Sequence, residues 1–183
     1  MYSWIAFLAA SMVIIYISRH SLFKPRSHGF YRFFAWECIA GLFALNIQYW
    51  FRTPLAWHQI ISWILLVASI VSLVLGVRSL VTGGKPVEER EGDPNLLAFE
   101  KTTKVVTSGN YRYIRHPLYS SLLLLTWGIF FKLPGMAAFI LALAASVLLA
   151  ATARADEREC IAFFGAEYQT YMQRTKMFIP FIV

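Results

Sequence analysis

Apolar residues run along this chain in long blocks, and the polar residues gather in the gaps between them. The blocks fall at 2–17, 31–50, 57–80, 118–131 and 135–152. A bilayer core takes about 20 apolar residues per helix, or fewer where neighbours shield the span. The pattern therefore predicts an all-α integral membrane protein with about five transmembrane helices. "KLPG" at 132–135 is a tight turn that folds the fourth and fifth blocks into a C-terminal helical hairpin. Beyond it, "RADERECIAFFGAEYQTYM" keeps a helical period, with Glu157, Ile161, Phe164, Tyr168 and Tyr171 or Met172 on one face. This predicts an amphipathic cytosolic helix with one carboxylate in its apolar stripe. Glu159 and Glu167 fall off that stripe and are expected in solvent, and Gly165 is expected to allow a close approach to another segment.

Composition agrees with this. Of 183 residues 58% are hydrophobic and only 15% charged, which is too apolar for a soluble domain of this size. The net charge of +7 is spread among apolar runs, so it points to membrane topology and not to nucleic acid. Of the 17 Lys and Arg residues, only Arg52 and Lys132 lie in the second and fourth connections, which leaves fifteen on the other side. The positive-inside rule then places the N-terminus outside and the C-terminus in the cytoplasm. The first apolar run lacks a basic leader and a cleavage site, so it is expected to be a retained span.

Function concentrates in the C-terminal half. The third connection is too long to be a simple link, and such loops are usually functional or disordered. One domain covers 1–183, with a three-helix part at 1–80, a cytosolic loop at 81–116, and the hairpin and last helix at 117–183. Cys38 and Cys160 fit no disulfide or zinc pattern and are expected to pack, and His20, His28, His58 and His116 show no metal-ligand spacing. "GGKP" lacks the Walker spacing and reads as a helix C-cap. In "YRYIRHPLY", Pro117 suits the first turn of a helix, whose free N–H groups and positive dipole end favour an anion. The plainer alternative makes Arg112 and Arg115 membrane anchors. The hairpin must bring Asp156 and Glu157 near Arg115 and His116. They can close a salt bridge or embrace a ligand carrying both an ammonium and a carboxylate. Glu37, in the second block, faces a cavity or makes a tertiary hydrogen bond.

The spacing Gly109, Tyr111, Arg115, His116, Pro117, Tyr119, joined through a hairpin to an acidic pair and to Phe164, Gly165 and Tyr168, resembles the integral membrane methyltransferases. That family includes isoprenylcysteine carboxyl methyltransferase and the phospholipid N-methyltransferases. The resemblance covers the C-terminal half. It implies an S-adenosylmethionine-dependent methyltransferase acting on a membrane-embedded lipid-like or prenylated acceptor, with the bilayer and that substrate as partners and no nucleic acid. It also implies that Thr103, Lys104, Val105, Val106 and Tyr111 border the cofactor. Arg115, His116, Pro117, Leu118 and Tyr119 would line it from the helix mouth, and Asp156 or Glu157 would take its ammonium. Two positions depart from the family: Asp156 stands where Glu is usual, and Thr152 where the carboxyl methyltransferases carry Arg, with Arg154 two residues on.

Methyl transfer from a sulfonium needs alignment and dryness more than acid–base groups. An amine or thiol acceptor must still lose a proton, for which Glu37, His116 and Arg154 with water are the candidates. Two rivals stand beside this reading. One is an NADPH-dependent membrane reductase of the sterol-reductase type, and the other a non-catalytic membrane scaffold that keeps the hairpin.

Overall fold

A computed structural model describes residues 2–83 and 102–180, and in these the protein is all-helical. Six α-helices follow in order: α1 (Tyr2–Ser18), α2 (His28–Asn46), α3 (Trp57–Gly83), α4 (Pro117–Phe130), α5 (Met136–Phe164) and α6 (Ala166–Arg174). Short 3-10 turns lie at Ser21–Phe23, Ile47–Tyr49 and Gly109–Arg112. Three helical stretches are long and apolar enough to cross a membrane, His28–Tyr49, Trp57–Gly83 and Met136–Phe164, and α1 and α4 are shorter apolar helices. Their outward faces carry large apolar side chains such as Trp4, Leu8, Ile64, Val71, Ile140 and Val147, as lipid contact requires.

Small side chains and hydroxyls bring the helices together. On α5, Ala138, Ala142 and Ala145 are buried against Ile39 and Leu42 of α2 and Ile129 of α4. Without a hydrophobic drive between helices in lipid, such small residues allow the close backbone approach that packing needs. Between α3 and α4 hydroxyls act as rivets. Ser62 donates to the carbonyl of Gly128 at 2.7 Å, Ser69 to that of Ser121 at 2.8 Å, and Ser72 to that of Pro117 at 3.1 Å. A Cβ on Gly128 would come within 2.9 Å of the Leu66 side chain and 3.3 Å of its backbone nitrogen, so the two helices touch there.

Each end of the bundle has a polar seal. At the end carrying the α4–α5 turn, Lys132 is fully buried. Its Nζ lies 3.4 Å from the Trp63 ring centroid and 5.0 Å from that of Trp50, and donates to Gln59 Oε1 at 3.2 Å. Gln59 in turn donates to the carbonyls of Lys132 and Tyr49. The opposite end holds the candidate site.

Several expectations need correction. The predicted fifth span and tail helix are one unbroken rod, because nothing between Thr152 and Phe164 breaks the helix, and only α6 forms a separate amphipathic piece. Gly165 ends the rod at φ 61°, in the left-handed region open to glycine, and a Cβ there would meet nothing within 4 Å. It is therefore a bend, not a close-approach point. Glu159 keeps a side chain 35% exposed but is not free: it accepts from the His28 backbone N–H at 2.9 Å and from its Nδ1 at 2.5 Å, tying the start of α2 to α5. The helix before "GGKP" runs on to Gly83, and Gly84 and Lys85 lie outside the described residues.

Candidate functional site

Pro117 occupies N1 of α4, with His116 as its N-cap residue. The backbone before them is held from the far end of the chain. Arg115 N–H donates to Lys176 O at 2.7 Å, His116 N–H to Met177 O at 3.2 Å, and Lys176 N–H back to Tyr113 O at 3.1 Å. The Arg115 guanidinium completes the clamp, donating to the carbonyls of Thr175 and Met172 and to Glu157 Oε1, the last at 2.6 Å. The acidic pair and the cationic mouth thus meet, as the hairpin predicts.

Within that meeting the two acids divide. Glu157 turns to Arg115 and lies 3.4 Å from His116 Nε2. Asp156 lies 3.5 Å from His116 Nδ1 and, unlike Glu157, lines a cavity. That cavity is walled by Leu80 of α3, Thr102, Val106 and Tyr111 of the connection, Arg115, His116, Leu118 and Tyr119 at the α4 mouth, and Asp156, Cys160, Phe164, Tyr168 and Tyr171 from α5 and α6. The predicted stripe began at Glu157; its cavity-facing part begins at Asp156 and steps by four to Cys160 and Phe164.

His116 is 4% exposed, and Tyr119 stacks on it with centroids 5.3 Å apart. Burial by itself would lower its pKa, but the hydrogen bonds and charges of Asp156 and Glu157 outweigh that and raise it above the ordinary value of 6.5. Burial also holds the phenols of Tyr168 and Tyr171 well above their usual range, so both stay neutral. Tyr171 donates to the carbonyl of Tyr111 at 2.7 Å, which fixes α6 against the connection.

Of the residues expected at the site, Val106, Tyr111, Arg115, His116, Leu118, Tyr119 and Asp156 line the cavity. Pro117 is buried behind it, and Thr103 and Lys104 are outside its lining. Val105 lines a second, neighbouring cleft. Arg154 is exposed and Glu37 accepts from Ser11 Oγ at 2.6 Å, and neither is in the cavity wall. Leu80, Thr102 and Cys160 are additions that the sequence pattern did not single out. Asp156 to Cys160 is a one-turn step, which was the available signal for the cysteine. No group of three or more metal-ligating side chains occurs among the described residues.

Comparison with known proteins returns two methyltransferases. The chain is 40% identical to methanethiol S-methyltransferase 2 of Bradyrhizobium diazoefficiens over 70 residues, 38% of this chain and 26% of the relative. It is 29% identical to methanethiol S-methyltransferase of Crocosphaera subtropica over 79 residues, 43% of this chain and 30% of the relative. The chain thus matches less than a third of the length of these curated relatives. No family model and no solved structure matches.

Proposed function

We propose that the protein is an S-adenosylmethionine-dependent methyltransferase whose cofactor site is the cavity at the mouth of α4. The observation that carries this reading is Asp156 and His116 facing one aromatic-walled cavity, with Arg115 in the same wall held by Glu157 behind it. The residues fit the cofactor's amino-acid end: Asp156 for the ammonium, and His116 with the α4 N-terminus for the carboxylate. The aromatic side chains of Tyr111, Tyr119 and Tyr168 in its wall suit a sulfonium. When bound, the cofactor supplies an already activated methyl group.

The chain's own residues then exclude water and orient the acceptor. The raised pKa of His116 favours its cationic form, which suits an anchor for a carboxylate. An apolar groove lined by Leu123, Leu124, Trp127 and Phe178 runs beside α4, and Phe178 also lies 6.2 Å from the His116 ring. This supports entry of a lipid-like acceptor from the bilayer, with the cofactor arriving from the cytoplasmic side and the N-terminus outside. The names of the two relatives favour a second acceptor class, a small thiol, through the same groove.

Titrating the detergent-solubilised protein with S-adenosylhomocysteine and, in parallel, with NADPH tests this. Binding of the first alone is expected. Binding of NADPH alone would move the protein to the reductases, and binding of neither would leave the scaffold. Methyl transfer to methanethiol or to a lipid extract then separates the two acceptor classes.

A further inference from the structure

On the other side of Tyr171 from the cofactor cavity lies a second cleft, between the 105–112 segment and α6. Its walls include Arg112, Arg174, Glu167, Thr107, Thr170 and Thr175. Both arginines are exposed, and neither pairs with an acidic residue among the described residues. Two cations and one acid leave an excess of one positive charge. The Thr side chains add donors, and the Glu167 carboxylate can accept from a hydroxyl. The cleft sits at the level where spans begin, since Arg112 lies five residues before Pro117 of α4, and the adjoining Tyr113 is 48% exposed.

We propose that this cleft binds the headgroup of an anionic phospholipid from the surrounding leaflet. Its phosphodiester would lie between Arg112 and Arg174, and a headgroup hydroxyl would point to Glu167. A net charge of minus one matches the cleft's excess, whereas a zwitterionic headgroup leaves it unbalanced. The exposed Tyr113, whose ring lies under the Arg112 guanidinium, gives an acyl chain an apolar surface beside the phosphate position, which a soluble phosphate would not use. The inference stands apart from the methyltransferase reading, because it concerns a different cleft and predicts binding without turnover.

Native mass spectrometry of the purified protein tests it, by titration with phosphatidylglycerol, with phosphatidylcholine and with soluble glycerol phosphate. Preferential retention of phosphatidylglycerol is expected. Each of Arg112→Gln and Arg174→Gln should weaken it by about five-fold, the effect of one basic residue at an anionic surface. Arg19→Gln with Arg158→Gln removes twice the charge of either single variant from outside the cleft and should still leave retention near wild type. Helical circular dichroism identifies any variant that has lost its fold, and the remaining single arginine variant then carries the comparison. Equal retention of both lipids, an equal loss in the control variant, or glycerol phosphate binding as tightly as the lipid would each overturn the proposal.

Discussion

At the scale of single residues, the two acids at the end of α5 have different duties, and substitution should separate them. Asp156→Asn removes a charge from the cavity wall while keeping the side chain's shape. A charge-assisted hydrogen bond is worth about 1.5–3 kcal/mol, so S-adenosylhomocysteine should bind roughly ten- to a hundred-fold more weakly in titration calorimetry, and the thermal midpoint should fall as well, because Asp156 also lies 3.5 Å from Nδ1 of the buried His116. Glu157→Gln should act chiefly on stability. It strands the Arg115 guanidinium, which is 11% exposed, and breaking one side of a buried pair costs about 3–5 kcal/mol. The unfolding midpoint should fall sharply; an unchanged midpoint would mean that the Arg115 clamp holds without it. His116 adds a pH signature. Its folded pKa is raised, so the folded state holds the proton more tightly than the unfolded chain. That contribution is complete below 6.5 and disappears as pH climbs through the folded value. Thermal midpoints measured from about pH 6 to about pH 9 should decline more in wild type than in His116→Gln. Parallel curves would remove His116 as the source.

At the scale of elements, the bend at Gly165 places α6 so that Tyr168 and Tyr171 close the cavity. Gly165→Ala forces a residue with a Cβ into backbone space that glycine alone adopts easily, at a cost of about 1–3 kcal/mol. The expected result is weaker S-adenosylhomocysteine binding and faster amide exchange in α6, with α2 to α4 unaffected. The stripe of tail residues already predicted a helix here and an acid within its packed face. It did not reveal where α5 stops, because residues 153–164 suit a helix in solvent as well as one extending from a span. The tie from Glu159 to His28 was not legible for a related reason: a carboxylate off an apolar stripe shows no partner until another helix, here α2, is packed beside it.

Across the whole molecule, polar clusters at the two ends hold the helix bundle in register. At the α4–α5 turn, Gln59 joins α3 to the turn and to the 47–49 segment. Gln59→Leu would leave the buried Lys132 ammonium without its acceptor, and the thermal midpoint should drop by the equivalent of about 1–3 kcal/mol or more. Retention of wild-type stability would show the Trp50 and Trp63 rings sufficient to hold that charge. The long apolar blocks determined the helices, because hydrocarbon admits few other backbone arrangements, and the turn at 132–135 determined the hairpin that joins Arg115 to Glu157. Chain order could not decide which acid faces the cavity, that Thr102 and Leu80 share its wall with Tyr171, or that the C-terminal segment braces the α4 mouth. Those depend on how helices distant in sequence rotate and pack against one another, and only the tertiary structure determines that.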